Sequence, residues 1–585
     1  MSGTGTPLSG YRAWTPGYTF QERSEQSVNR FVGGTNANWR PLSWLQSNGT
    51  FGVDYTSRTD SRVRLFGQGP PLNATYRNGF AQNARASLQN LTANLSSTGT
   101  WQPRSWLNSQ TTVGVQYVNF RIDQNSAVGT ELPPGARTVG FGATPSVTEG
   151  TTVSKTLGVY VQEQLGFGDR LFVTGAVRSD QNSAFGTDFQ RVLYPKASLS
   201  WVASEEGFFP QRDWIDQLRL RASYGSSGRQ PGPNDALRSF SGATTNIAGN
   251  DQAALVYGLI GNTGLKPEQT SEFETGFDAR LFGSRATLEL TYYHKRTKDA
   301  LIEAIVPPSL GDTNRVNQNL GSVRNIGFEG LLTAQLVDRK SFGVDLTVNG
   351  STNDNLLVSL GEVAPQITNQ SRVIAGYPLF NWYARKISGY DDRNGDGILT
   401  YNADPAMNEV FVDDSATFIG DASPRRNISV TPGLELFGRK LRLSGLFDYR
   451  GGFSWYNLTG EFRCASRGNC PGLNDQSSSF REQAASVARR DHPSRTSAGY
   501  IEKADFVRLR EISATYSLPT SLLRVRGVRS ASVNLSARNV ALWTDYSGVD
   551  PEAFFNVGDD GNGRGQDFQS LGPPSYYILR VNLGF

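Results

Sequence analysis

The sequence predicts an all-β fold, an antiparallel transmembrane β-barrel with long extracellular loops and short periplasmic turns. Three observations carry that expectation. Apolar residues recur with a period of two in segment after segment, helical periodicity is nearly absent, and short and long connections alternate along the chain. A soluble sandwich or propeller has no reason to keep its long loops at one end, and no internal repeat of propeller period is found.

Taken in order, the first visible strand lies near residues 29–37. In ATLELTYY, Ala286, Leu288, Leu290 and Tyr292 alternate with Thr287, Glu289 and Thr291. FGVDLTVNG sets Phe342, Val344, Leu346 and Val348 against Gly343, Asp345, Thr347 and Asn349. NISVTPGLEL repeats the pattern with Ile428, Val430, Leu434 and Leu436 on one face. Pro432 falls on that face; its missing N–H removes a ladder bond and predicts a bulge. SVNLSARN adds Val533, Leu535 and Ala537, and the last strand spans residues 576–585. There Tyr577, Leu579, Val581, Leu583 and Phe585 share a face opposite Ile578, Arg580, Asn582 and Gly584. The count is about 17 strands, with boundaries good to a few residues.

Tight turns stand at 166–169, 282–285 and 437–440; long polar loops occupy about 226–268, 357–424, 451–504 and 543–574. The alternation runs both the first and the last visible strand from outside to periplasm. Bacterial barrels hold even strand numbers, so an odd number is expected upstream; five more would give roughly 22, the plugged-transporter size. The opening MSGTGTPLSGYRAW has no basic region followed by an apolar one, hence no visible signal peptide. Both points lead to the expectation that residues 1–585 are the C-terminal part of a longer barrel protein, lacking its first strands.

Composition narrows the function classes. Only 37% of the residues are hydrophobic, while 11% are aromatic and 63 are glycine. The net charge of +4 carries no Lys/Arg stripe, so nucleic acid is not an expected partner. No apolar run reaches the roughly 18 residues of a helical span, a test blind to strands, whose alternation keeps mean hydropathy low.

Local motifs suggest few sites. Asp392-Arg-Asn394-Gly-Asp396-Gly matches the start of a calcium loop, with oxygen ligands at alternate positions. Position 403, where an EF-hand closes with Glu, is Ala403; Asp404 is the substitute. Asp392, Asn394, Asp396 and Asp404 are therefore a candidate structural Ca²⁺ site, the alternative being an Asx/Gly-rich turn. No other cofactor is expected. Asp559, Asp560 and Asn562 form a weaker run of the same kind. Cys464 and Cys470, the only cysteines, suit a local disulfide of an oxidising compartment, or else a pair of free loop thiols. An enzyme is not expected: there is no G-x-S-x-G, His294 has the parity of the outward-facing Leu288, Leu290 and Tyr292, and His492 lies in a loop. Trp44, Tyr117, Tyr160, Tyr292, Tyr293, Tyr516 and Tyr577 suit interfacial girdles. Trp382, Tyr383, Trp455, Tyr456, Phe554 and Phe555 are loop aromatics that either stack on a ligand or a partner, or pack among themselves; no substrate residue is assigned.

The segment LKPEQTSEFETGFDARLFGSRATLELTYYHKRTKDALI (265–302) resembles the mid-barrel hairpin of TonB-dependent outer-membrane receptors of the SusC/RagA type. RNIGFEGLLTAQL (324–336), GYPLFNWYARKISGYDDRNGDGILT (376–400), ADFVRLREISATYSLP (504–519) and ARNVALWTDYSGVDPE (537–552) resemble further blocks of that family, in the same order. The likeness covers nearly the whole chain, more weakly before residue 150. It implies an outer-membrane barrel with an N-terminal plug, energised by TonB-ExbB-ExbD through the missing N-terminal region. It also implies a SusD-like surface lipoprotein as partner and import of oligosaccharides or peptides too large for porins. In outer-membrane proteins a terminal aromatic after alternating apolar residues is the signal read by the barrel-assembly machinery, which gives Tyr577, Leu579, Val581, Leu583 and Phe585 that role. Two other functions stay open: a siderophore or cobalamin receptor without a lipoprotein lid, and a structural or adhesive barrel.

Overall fold

The structure, a computed structural model, describes residues 16–70, 74–185, 191–210, 212–305, 315–367, 370–519, 527–555 and 566–585. Eighteen strands belong to one large sheet, against the about 17 expected from periodicity. No helix among the described residues is long and apolar enough to cross a membrane. The chain forms two compact units. One comprises Met1–Ser198, Gly225–Ser271 and Thr297–Leu320; the other comprises Leu199–Tyr224, Glu272–Arg296 and Gly321–Phe585.

The first unit is a meander in which Arg23–Leu42, Leu45–Arg64, Phe80–Arg104, Leu107–Thr130, Thr144–Phe167 and Leu171–Asn182 each pair antiparallel with the next. The register from Leu107↔Phe167 to Thr130↔Thr144 is unbroken, so every side chain keeps its face. One face carries Val113, Leu157, Val159 and Val161, between 41% and 52% exposed. Gln116, Gln162 and Gln164 lie on the other. Apolar side chains left open on one face and amides on the other make a wall between lipid and a polar lumen. Glu163 is an exception on the apolar face, and its carboxylate accepts from Ser109 Oγ (2.6 Å) and Thr111 Oγ1 (2.5 Å). A 24-residue strand is about 80 Å long, whereas a bilayer needs only about 9–11 residues. These strands therefore stand well clear of the membrane. At the tight-turn end Trp44 stacks on Trp101 (5.8 Å) and Trp106 on Phe167 (6.3 Å).

In the second unit Gly343–Thr352, Arg426–Leu436, Leu441–Gly451, Phe506–Ser517, Ser530–Thr544 and Tyr576–Gly584 pair in that order. Leu579↔Leu535 and Val581↔Val533 align the apolar faces of the last two. The expected bulge at Pro432 is absent. Pro432 pairs with Leu346 in an even ladder on one side. On the other side the register is the same before and after it, Val430↔Phe447 and Gly433↔Ser444, with only the pairing at 431 and 432 omitted. The strand gives up the bond that proline cannot make and keeps its phase. The 437–440 turn closes with Phe437, Gly438 and Arg439 at φ of 55°, 68° and 66°; left-handed backbone at non-glycine residues is tolerated here because the turn is so short.

The girdle assignments divide. Tyr117 shares the apolar face through its pairing with Leu157, and Tyr516 and Tyr577 are 40% and 80% exposed. Tyr160 and Tyr293 lie on the opposite, polar face. Tyr160 pairs with Arg178, and Tyr293 donates its hydroxyl proton to Thr352 O (3.0 Å). Their phase along the strand, not their ring, decides the side.

Candidate functional site, a folded layer of loops

The loops 357–424, 451–504 and 543–574, all in the second unit, are not open chain. They contain the hairpin Asn381–Tyr390/Val410–Asp421, the helix Phe480–Arg490 and the short strands Ser454–Asn457 and Ile501–Lys503. Together they bury hydrophobic clusters of their own. One groups Trp382, Tyr456, Cys464, Cys470, Ala485, Tyr500 and Ile501. A second joins Leu399 and Val410 to Ala484, Val487 and Ala488 of the helix, and a third holds Phe453, Trp455, Phe506 and Tyr546.

The loop aromatics are chiefly the core of this layer. Trp382, 2% exposed, donates Nε1–H to Ser454 O (2.8 Å) and meets Tyr456 edge-on at 5.6 Å. Tyr383 packs edge-on against Tyr377 and Phe418, with the Arg372 guanidinium over its ring. Trp455 donates Nε1–H to Ala553 O. Phe554 and Phe555 remain 53% and 38% exposed and are the two of the six with substantial open surface. Burial and the adjacent Tyr377 push the Tyr383 phenol up to about 12, so it stays protonated at any physiological pH.

Charge is buried with care. The Arg508 side chain is 4% exposed and gives Asp550 two hydrogen bonds of 2.6 and 2.7 Å from Nη2. Its Nε lies 2.9 Å from Glu552 Oε2, near enough for attraction but off the hydrogen-bond angle. Arg510 bridges Asp448 (2.7 Å) and Glu552 (2.6 Å). The two arginines of VRLRE thus fasten the 550–552 loop to the strand Phe506–Ser517. Glu461, 3% exposed, accepts from Tyr456 Oη (2.7 Å) and lies 2.7 Å from Arg489 Nε. Burial, then the Glu461 charge, hold the Tyr456 phenol far above its usual range.

Cys464 and Cys470 form a disulfide with Cα atoms 5.1 Å apart. Both are buried, and Ser486 of the helix lies 3.7 and 3.6 Å from their sulfurs. The calcium-like motif folds as Asx turns. Asp392 accepts from the Gly395 and Gly397 amides (2.9 and 3.0 Å), Asn394 from the Asp396 amide (2.9 Å), and Asp396 from the Ile398 amide (2.8 Å). Asn394 also donates Nδ2–H to Asp396, which turns a nitrogen, not an oxygen, toward that carboxylate. Asp404 belongs to a separate turn and accepts from the Ala406 amide. The side-chain oxygens of Asp392, Asn394 and Asp396 thus accept from backbone N–H groups within the loop. Among the described residues no three His, Cys, Asp or Glu side chains gather as a metal-holding group. The loop is anchored instead by Glu409, 1% exposed, which accepts from Thr400 N and Oγ1 (2.8 and 2.9 Å) and from the Arg393 amide. The run Asp559, Asp560 and Asn562 lies outside the described residues.

His492 closes a turn: its Nδ1 lies 2.8 Å from Ser494 Oγ and 3.1 Å from the Ser494 amide nitrogen, while the ring packs edge-on to Tyr401 at 4.8 Å. Burial, then the Arg385 charge, lowers its pKa from the usual imidazole range.

Sequence reasoning missed the helix Phe480–Arg490, whose signal was present. Ser479 accepts from the Glu482 amide, and Ser479 with Glu482 has the spacing of a capping box. It also missed the hairpin Ser239–Ile247/Asn250–Leu259 inside the 226–268 loop, closed by Ala248 and Gly249 at φ of 53° and 84°. Without an Asn-Gly or Asp-Gly pair its turn carried no strong mark.

Comparison with known proteins gives consistent results. Residues 2–463 match the family model described as TonB dependent receptor-like, beta-barrel. The chain is 28% identical to TonB-dependent receptor P26 of Formosa agariphila over 71% of its own length and 45% of that protein. It is 24% identical to TonB-dependent receptor SusC of Bacteroides thetaiotaomicron, over 66% of this chain and 40% of the relative. It spans about half the length of the curated relatives it matches. Among solved structures, the RagAB peptide transporter superposes with a TM-score of 0.81 at 20% identity, over 97% of this chain and 63% of that one.

Proposed function

The chain belongs to the TonB-dependent receptor-like β-barrel family of the bacterial outer membrane, and we propose that the whole protein imports a nutrient too large for porins, an oligosaccharide or a peptide. One observation carries the reading: the loops between barrel strands are folded into a layer with its own apolar clusters, disulfide and buried ion network. A layer fixed in this way presents a preorganised surface to a second protein, with little ordering entropy left to lose on binding. The partner in this reading is a SusD-like surface lipoprotein seated on the layer. TonB-ExbB-ExbD acts through a region N-terminal to this chain. RagAB, described as a peptide transporter, supports the importer reading by its fold alone.

Affinity purification of the protein from its native outer membrane tests the partner. A surface lipoprotein should co-purify in stoichiometric amount, and uptake of a labelled oligosaccharide or peptide should stop when the tonB gene is removed. Recovery without any lipoprotein, together with ferric-chelate or cobalamin uptake, would move the function to the siderophore class. Uptake that survives loss of TonB would end the energised-import reading.

The strand Tyr576–Gly584 supports an assembly role. Tyr577, Leu579, Val581, Leu583 and Phe585 are 53% to 80% exposed on one face, as recognition by the barrel-assembly machinery requires. Phe585→Asp should lower the outer-membrane amount sharply and Phe585→Tyr should not. Equal amounts of the two on quantitative blots would remove the role.

A further inference from the structure

Glu163 has the strand phase of Val161, so it stands on the lipid side of the strand Thr144–Phe167. Cross-strand rows fix what surrounds it. Thr111, Glu163 and Gly175 form one row. Ser109, Leu165 and Val173 form the next toward the turn, and Val113, Val161 and Val177 the next away from it. Val161, Val173 and Val177 are 41%, 39% and 40% exposed, so a carboxylate sits among side chains that face only lipid. It accepts two hydrogen bonds, from Ser109 Oγ to Oε1 (2.6 Å) and from Thr111 Oγ1 to Oε2 (2.5 Å). No cation pairs with it among the described residues. The position is on the outside of the wall, beyond the reach of anything that fills the lumen. Its strand is paired on both sides, away from any edge to which a further strand could be added.

Depth follows from the register. Glu163 is four residues from Phe167 at the tight turn, about 13 Å along the strand, or about 10 Å of depth at a tilt of about 35–45°. The stacked Trp106–Phe167 pair at that turn marks the periplasmic interface. The carboxylate therefore belongs to the periplasmic third of a hydrocarbon layer about 30 Å thick. Ser109 lies one row nearer the turn, so its hydrogen bond draws the carboxylate toward that interface. Beside the carboxylate is a gap: a Cβ on Gly175 would meet no atom within 4 Å beyond its own chain neighbours.

We propose that Glu163, Ser109, Thr111 and the gap at Gly175 form a binding site for a periplasmic-leaflet phospholipid whose headgroup carries a primary ammonium. An ionised carboxylate offers about four lone-pair sites, and the two hydroxyls leave acceptor capacity on both oxygens. A primary ammonium brings the missing positive charge and three N–H donors to fill that capacity. A quaternary ammonium brings the charge without the donors, and a phosphoglycerol headgroup brings a net negative charge that the carboxylate repels. Attraction between opposite charges strengthens as water is excluded, and ionisable groups within a membrane are as a rule paired. The acyl chains of a lipid held here run along Val161 and Val177, away from the turn. A lysine of a second membrane protein has the same charge and donors; lipid is favoured by place, because the carboxylate leans toward the headgroup layer that surrounds it. The site needs only the lipid-facing side of the wall and is independent of what the protein imports.

Native mass spectrometry of the full-length protein tests this, after release from nanodiscs of equal parts phosphatidylethanolamine, phosphatidylcholine and phosphatidylglycerol. Phosphatidylethanolamine should be retained at least about five-fold over either of the others. Glu163→Gln keeps the size of the side chain without its charge and should erase the preference. Gly175→Leu fills the gap and should lower phosphatidylethanolamine retention with Glu163 intact. Glu149→Gln removes a carboxylate from the same face of the same strand, near its extracellular end, and should leave the preference unchanged. Gel mobility before and after boiling shows that each barrel is folded; should Gly175→Leu fail there, Glu163→Gln against Glu149→Gln decides. Equal retention of the three lipids by the wild type, an unchanged preference in Glu163→Gln, or its loss in Glu149→Gln would each overturn the site. A membrane protein that co-purifies with the wild type and is lost in Glu163→Gln would also overturn it, by giving the carboxylate a protein partner.

Discussion

Arg508 shows what a single side chain does in this protein. It is almost wholly buried, and its two hydrogen bonds to Asp550 give that carboxylate its principal cation. Removing one partner of a buried pair costs about 3–5 kcal/mol, because the other charge is left uncompensated, whereas exchanging both for apolar residues is near neutral. Arg508→Ala should therefore open the 543–555 loop to limited proteolysis, and Arg508→Met with Asp550→Leu should restore much of the resistance. Equal protease sensitivity of wild type and Arg508→Ala would show that the pair holds nothing. His492 gives a pH dependence of definite sign. Its folded-state pKa is lowered, so folding favours the neutral ring. The associated stability is complete above the unfolded value of about 6.5 and is lost as pH falls from there through the folded value. Thermal unfolding of the loop layer should thus drop from pH 7 to pH 5, and His492→Gln should flatten part of that slope. At this scale the sequence was legible where chemistry leaves few options, as with two cysteines six apart. It was illegible where a residue type serves two environments: Tyr160 and Tyr117 are alike in composition, and only strand phase separates the lumen from the lipid side.

At the scale of elements, barrel strands announced themselves and loop structure did not. A strand with lipid on one face and a polar lumen on the other must alternate for its whole length, so the period of two in 342–349 or 577–585 reads directly as a strand. The helix Phe480–Arg490 buries only a short stretch, Gln483 to Ala488, within a polar loop, and eleven residues give few turns over which a helical period can build. Its cap is the better mark. Ser479→Ala removes the acceptor for the Glu482 amide and should cost about 1 kcal/mol, loosening the cluster with Leu399 and Val410. Faster hydrogen exchange confined to 480–490 and 399–412 is the expected result; uniform protection would mean that tertiary packing alone holds the helix. The Asx loop carries a related lesson. D-x-N-x-D-G is also the sequence of successive side chain-to-backbone turns, and spacing alone does not distinguish a metal cage from amide capping. Chelation by EGTA should leave the thermal unfolding of the loop layer unchanged if amide capping alone holds the loop, and a clear drop would give Asp392 and Asp396 a Ca²⁺ role.

The whole molecule is defined by which face meets lipid, and that assignment follows from register propagated over many strands. Val161 and Gln162 are neighbours in sequence, on opposite faces of the same strand. If the face with exposed valines is in the bilayer, Val161→Lys must place an ammonium in hydrocarbon, at about 2–4 kcal/mol near the midplane and less toward an interface. Gln162→Lys adds the same charge on the polar side, where water or other polar groups solvate it. The first substitution should lower the folded, heat-modifiable fraction in outer membranes, and the second should leave it near wild type. The same assignment fixes orientation. A tag within the exposed segment 474–477 should be labelled on intact cells, and one in the 437–440 turn should be labelled only after the membrane is breached. Together the two tests separate faults in the reading: labelling on the wrong side with the lysine asymmetry intact would invert the barrel, and loss of the lysine asymmetry would deny the wall its lipid face. In either case the alternation along each strand would stand, because it is a property of the backbone, while the meaning given to its two sides would have to change.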